Sequence, residues 1–207
     1  MRRPAAVVFD VGKVLFDWSP RFLYERLIDD DQALEAFLRD VVTLEWHFQH
    51  DAGRPFAETS AELIAEHPHH EALIAAWGPR FNDSIGEPIA GMHELVAELD
   101  AAGVPLFAIT NFSGEFWKPF RAREAALFDR FRDIVVSGDE KLMKPDAAIY
   151  RLALDRFGLE PHDAVFIDDN RANVAGAEAV GMSAIHFTDA AALRRELAGL
   201  GVPVGSS

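Results

Sequence analysis

Asp10 ends the apolar run Ala5-Ala6-Val7-Val8-Phe9 and is followed at once by Val11-Gly12-Lys13. Far downstream the pattern returns, with Ala164-Val165-Phe166-Ile167 running into Asp168-Asp169-Asn170. Carboxylates placed at the carboxyl ends of parallel strands converge on one crevice. Such crowding is tolerable only if a cation sits among them or one of them holds a proton. The residue types and their placement therefore point first to cation chemistry.

Five segments rich in Val, Ile and Phe read as the strands that position these groups: Ala5–Asp10, Val104–Thr110, Ile134–Ser137, Ala164–Asp168 and Ala184–Phe187. Helical periodicity lies between them. Met92–Ala102 sets Leu95, Val96 and Leu99 on one face and stops at Gly103. Ala147–Phe157 follows Lys144-Pro145-Asp146 and stops at Gly158. Alternating strands and helices imply an α/β fold with a doubly wound parallel sheet, covered on both faces.

One interval, roughly 17–88, contains no convincing strand. Ser19-Pro20 supplies an N-cap with proline behind it and opens a helix through Ile28. Asp31 to Gln49 reads as a second helix stopped near Gly53, Pro55–Glu66 as a third, and His70–Ile85 as a fourth kinked at Gly78-Pro79. The chain is thus expected to divide into an α/β core of 1–16 and 89–207 and a four-helix cap of 17–88 above the strand ends. The Gly-, Pro- and Ser-containing tail 199–207 is expected to fray.

Bulk properties remove several function classes. A chain of 207 residues with 49% hydrophobic content builds a globular core and is not disordered. It has no cysteine, so disulfides, thiolate zinc sites and cysteine nucleophiles are ruled out. A formal charge of −14 argues against nucleic-acid and anionic-membrane partners. No apolar run approaches the roughly 18 residues of a membrane span. Met1-Arg2-Arg3 has the look of a signal-peptide start, but the apolar run behind it is too short and ends on Asp10. A soluble cytoplasmic protein is expected.

Phe9-Asp10-Val11-Gly12-Lys13-Val14-Leu15, Ile109-Thr110-Asn111, Lys144-Pro145 and Phe166-Ile167-Asp168-Asp169-Asn170 occur in this order. Together they resemble the four motifs of the haloacid dehalogenase-like hydrolase superfamily, and the insert resembles that family's helical cap after the first strand. The resemblance implies a Rossmann-like core with strand order 5-4-1-2-3. It implies Asp10 as the nucleophile that attacks phosphorus to give an aspartyl-phosphate. It further implies Mg²⁺ held by Asp10, the Gly12 carbonyl, Asp168 and, through a water, Asp169. Thr110 and Asn111 would hold phosphoryl oxygens, and Lys144 would neutralise charge on the phosphoryl group and Asp10. The substrate implied is a small phosphorylated metabolite, a sugar phosphate among them. Lysine usage fits: four lysines stand against sixteen arginines, all four (Lys13, Lys118, Lys141, Lys144) in or near the loops around the expected site.

The chain departs from the family's phosphatase pattern at Gly12, where a second aspartate usually serves as general acid, and at Val14, where threonine is common. General-acid help is commonly worth about 10²–10⁴-fold, so this departure bears on which esters can be cleaved. Three readings follow: a Mg²⁺ phosphatase with a good leaving group or an acid from elsewhere, a 2-haloacid dehalogenase using the same aspartate, and a non-catalytic binding domain. Family dehalogenases carry serine where Asp168 stands and work without metal, which weighs against the second.

Other residues read more plainly. His67-Pro68-His69-His70 is a turn without the i, i+4 spacing of a helical metal site. Trp46-His47-Phe48 reads as helix core with an incidental histidine. Phe112, Phe116 and Trp117 are either packing or walls of a leaving-group pocket.

Overall fold

The computed structural model describes residues 3–205. Seven strands form: β1 (Ala6–Phe9), β2 (Phe16–Trp18), β3 (Ile85–Pro88), β4 (Leu106–Thr110), β5 (Asp133–Val136), β6 (Ala164–Asp168) and β7 (Ser183–His186). The twelve α-helices are α1 (Pro20–Tyr24), α2 (Asp31–Asp40), α3 (Leu44–Asp51), α4 (Phe56–Glu66), α5 (Glu71–Ala76), α6 (Met92–Ala101), α7 (Gly114–Arg123), α8 (Ala125–Phe128), α9 (Ser137–Glu140), α10 (Ala147–Phe157), α11 (Arg171–Ala179) and α12 (Ala190–Gly199).

Five strands make one parallel sheet in the order β5-β4-β1-β6-β7. Numbered as the five expected core strands, this is the order 5-4-1-2-3 read in reverse. Every residue of β1, β4 and β6 is buried. This is why these runs are apolar without alternation: both faces of the sheet are covered. Side chains on opposite faces join two separate apolar clusters, Val7 and Phe9 in one and Ala6 and Val8 in the other. In α10, Asp146 caps the start by accepting from Ala148 N–H, and Gly158 closes the end at φ +66°.

The insert differs from expectation in four places. First, it is not free of strands. Phe16–Trp18 and Ile85–Pro88 pair antiparallel as a short ribbon where the chain leaves and re-enters the core. Second, the expected helix from Asp31 to Gln49 is two. Val41 leaves helical geometry at φ −120° and ψ −75°, Val41 and Val42 are buried, and the Thr43 hydroxyl caps α3 by accepting from Trp46 N–H at 3.1 Å. Burying two β-branched residues at a corner outweighs continuing the helix. Third, the helix expected from His70 to Ile85 ends at Ala76, ahead of Gly78-Pro79, and resumes only as the 3₁₀ turn Phe81–Ser84. The insert therefore holds five α-helices rather than four. Fourth, the first of them ends at Tyr24, not Ile28.

At the other end, the tail expected to fray places Val202 in the core, with its N–H donating to Leu197 O at 2.9 Å. The part of that expectation resting on Ser206 and Ser207 lies outside the described residues. No helix among the described residues is long and apolar enough to cross a membrane.

Candidate active site

The sheet delivers Asp10 and Asp168 to the same edge because β1 and β6 pair in register, Phe9 opposite Ile167. Asp10 N–H donates to Ile167 O at 2.8 Å, carrying the ladder one residue past the strand. Asp10, Asp168 and Asp169 each present a carboxylate oxygen within 4.8 Å of the others. Asp168 is fully buried and Asp10 is 8% exposed.

Lys144 enters from the loop before α10. Its Nζ lies 2.8 Å from Asp10 Oδ1 and 2.7 Å from Asp168 Oδ2. Asn111 fixes that loop. Its Nδ2 donates to Lys144 O at 3.0 Å and its Oδ1 accepts from Lys144 N–H at 2.9 Å, next to a cis Lys144–Pro145 bond. The side chain of Asn111, whose amide is expected to hold a phosphoryl oxygen, is thus engaged with the lysine's main chain. Thr110 is buried at the end of β4 and does not reach the wall of the cavity described below.

Asn173, on the first turn of α11, was not singled out in the sequence. Its Nδ2 donates to both Asp168 oxygens, at 3.1 and 3.0 Å, and its carbonyl accepts from the Tyr150 hydroxyl at 2.8 Å. Asn170 N–H adds a bond to Asp168 Oδ1 at 2.8 Å. An asparagine in the Ala-rich stretch Arg171–Ala179, five residues past a strand-ending aspartate, is the signal that could have found it. Val11 N–H holds Asp10 Oδ1 at 2.7 Å.

Burial pushes the Asp10 carboxyl up to about 8; Lys144 opposes the shift and Asp168 adds to it. Burial by itself would lower Lys144, but Asp10 and Asp168 outweigh it and hold the ammonium above the usual lysine range. Burial, then Asp168, raises Asp169. Three carboxylates face one ammonium, so the donor set is short of positive charge and consists of hard oxygen. It fits a divalent cation of the Mg²⁺ type.

The site opens into a cavity of about 410 Å³. Asp10, Gly12, Asn111, Lys144 and Asp169 line it together with the apolar Trp18, Phe48, Phe81, Ile85, Phe112 and Met143. His47 and Asp51 of α3 also line it, so the histidine taken for incidental core faces the site. Of the aromatic trio after the second motif, Phe112 reaches the cavity and Phe116 and Trp117 pack in the core. Lys13 and Lys144 line the cavity, while Lys118 is exposed on α7. His67, His69 and His70 form no metal-binding group with acidic neighbours among the described residues.

The cap is fastened to the core at the end of α3. Ser137 Oγ donates to Asp51 O at 2.6 Å and accepts from Phe112 N–H at 2.9 Å. Gly53, at φ +89°, passes so close that a Cβ would stand 2.7 Å from Gly138 O.

Parallel strands that end on paired carboxylates, with a buried lysine between them and a helical insert above, define a hydrolase of the capped α/β type. A family model for haloacid dehalogenase-like hydrolases matches residues 4–181, and the chain belongs to that family. It is 30% identical over 197 residues to the sesquiterpene phosphatase astK of Aspergillus oryzae, covering 93% of this chain and 94% of that protein. Among solved structures it resembles a HAD family enzyme of Bacteroides thetaiotaomicron in complex with magnesium and inorganic phosphate. That match has a TM-score of 0.65 at 19% identity and covers 89% of this chain and 94% of the other. It also resembles the L-2-haloacid dehalogenase of Xanthobacter autotrophicus with chloropropionic acid covalently bound. There the TM-score is 0.63 at 22% identity, covering 97% and 85%.

Proposed function

We propose that the chain is a Mg²⁺-dependent phosphatase that hydrolyses a small-molecule phosphate monoester through Asp10. The observation that carries this reading is the excess of carboxylates over cations at the buried end of the cavity. Asp10, Asp168 and Asp169 outnumber Lys144 three to one, and both Mg²⁺ and a phosphoryl group would be at home there. The donor set would be Asp10, Asp168, Asp169 and the Gly12 carbonyl. When bound, Mg²⁺ supplies neutralisation of the carboxylates and of the phosphoryl oxygens.

The remaining steps belong to the chain's own residues. A carboxylate oxygen of Asp10 attacks phosphorus, the ester P–O bond breaks, and the leaving oxygen takes a proton from water in the cavity and departs as the alcohol. Lys144, held by Asn111, opposes the burial that raises Asp10, orients its carboxyl and meets developing charge on the phosphoryl group. Asn173 and the Asn170 N–H hold Asp168 in place. Water then cleaves the aspartyl-phosphate.

Dehalogenation is the weaker reading, because a metal-free site would leave Asp10 and Asp168 to share a single ammonium. The name of the full-length relative from Aspergillus oryzae, a phosphatase, points the same way. The test is a panel of phosphate esters and 2-haloacids assayed with Mg²⁺ and with chelator. Phosphate release that stops on chelation supports the proposal; halide release that ignores chelation refutes it.

A further inference from the structure

We propose that the organic half of the substrate is a long aliphatic chain, so that the enzyme acts on phosphate monoesters of apolar alcohols. This rests on the phosphatase reading for the reacting end and on independent observations for the other. Beside the reacting groups, the cavity is lined by Trp18, Phe48, Phe81, Ile85, Phe112 and Met143. Lys13 and Lys144 are the lysine or arginine residues among those lining it, and both are engaged: Lys144 with Asp10 and Asp168, Lys13 with Asp17 at 2.5 Å. A second phosphate or a carboxylate on the substrate would have to displace Asp17 from Lys13, since Lys144 serves the reacting end.

Sugar hydroxyls would meet a mostly aromatic surround. The polar side chains that α3 turns to the cavity are two, His47 and Asp51, buried with Nε2 3.4 Å from Oδ2 and with His47 Nδ1 and Asp51 Oδ1 left without a hydrogen-bond partner, room for one hydroxyl of an alcohol rather than for a ring of them. The His47 ring is also flanked by Trp18 at 4.9 Å and Phe81 at 5.7 Å. Asn111 and Asn173 are occupied by Lys144 and Asp168.

Helix α3 carries the apolar surface outward. Phe48 lines the cavity yet is 46% exposed, and Leu44, one turn earlier on the same face, is 50% exposed. These are the large hydrophobic side chains left exposed among the described residues. A chain extending from the phosphate past Phe48 toward Leu44 would cover both.

The experiment is a series of n-alkyl phosphates from ethyl to dodecyl, below their micelle concentrations, with phosphoglycolate and glucose 6-phosphate as polar comparators. The expected result is kcat/KM rising about fourfold per methylene over the shorter members, with both polar esters no better than ethyl phosphate. Phe48→Ser should reduce the dodecyl-to-ethyl ratio at least about tenfold, since it removes a ring from the chain's path. Turnover that is flat with chain length, or highest for a polar ester, overturns the inference and leaves the phosphatase reading standing. If no ester is turned over, the phosphatase reading fails, and calorimetric titration with 1-alkylphosphonates decides separately. Affinity that tightens with chain length upholds the apolar site, and affinity independent of it removes the site as well.

Discussion

The Lys144 ammonium stands 2.8 Å from Asp10 Oδ1 while buried to 3% exposure, in a loop pinned on both sides by one asparagine amide. Breaking a buried pair costs about 3–5 kcal/mol, because the partner is left charged and dry. Lys144→Met is therefore expected to lower unfolding free energy in chelator by about 3 kcal/mol or more, with Mg²⁺ restoring part of the loss. Urea denaturation with and without Mg²⁺ measures this. An unchanged midpoint would show that Lys144 does not hold the carboxylates.

Gly12 has room for an acid. A Cβ there meets nothing within 4 Å, and its φ is not among the positive values. Gly12→Asp is expected to raise kcat for alkyl phosphates by about 10²-fold, the low end of general-acid catalysis, and to change nitrophenyl phosphate little. Equal effects on both leaving groups, or no gain on either, would mean that the proton already comes from another group; His47 and Asp51 face the cavity and would be next to test.

Ser137 joins cap to core with a single hydroxyl. In Ser137→Ala the carbonyl of Asp51 and the N–H of Phe112 lose a buried partner, at a cost of about 1–3 kcal/mol each. Stability is expected to fall by about 2 kcal/mol or more, and proteolysis should find new cuts near Asp51–Gly53. A loss below about 0.5 kcal/mol would show that the cap is held elsewhere.

His50, which is not among the residues lining the cavity, gives a further acid sensitivity. It is buried in α3 with Nε2 2.7 Å from Thr59 Oγ1, and burial, aided by His47, pushes it down from 6.5 to about 3. Between those values the unfolded chain binds a proton that the folded chain refuses. Stability is thus full above 6.5 and is lost as pH falls, by up to about 1.4 kcal/mol per pH unit. His50→Gln should flatten that part of the curve relative to wild type. Identical slopes in the two proteins would dismiss His50 as the cause.

The parts of this structure legible in the sequence were those governed by local composition. β1, β4 and β6 announce themselves as short unbroken apolar runs, and a parallel sheet must bring their ends together, which is how Asp10 and Asp168 could be paired across 158 positions of chain. What escaped was set by contacts distant in sequence. Phe16–Trp18 is too short to show alternation, and its partner contains Gly86 and Pro88, both poor strand formers. Thr43 did carry a capping signal, but the helical period on either side masked it. The clamp of Asn111 on Lys144 spans 33 residues and has no local signature. His47 looked like core because it is core on one side and cavity wall on the other.

The account depends most directly on Asp10 as the attacking group. Rapid-quench mass spectrometry of the Mg²⁺-loaded enzyme turning over a phosphate ester should find a phosphoryl group on the Asp10 peptide. In Asp10→Asn the adduct and the turnover should both vanish, with the circular dichroism spectrum unchanged. Phosphate released by a folded Asp10→Asn enzyme at an appreciable fraction of the wild-type rate would contradict it.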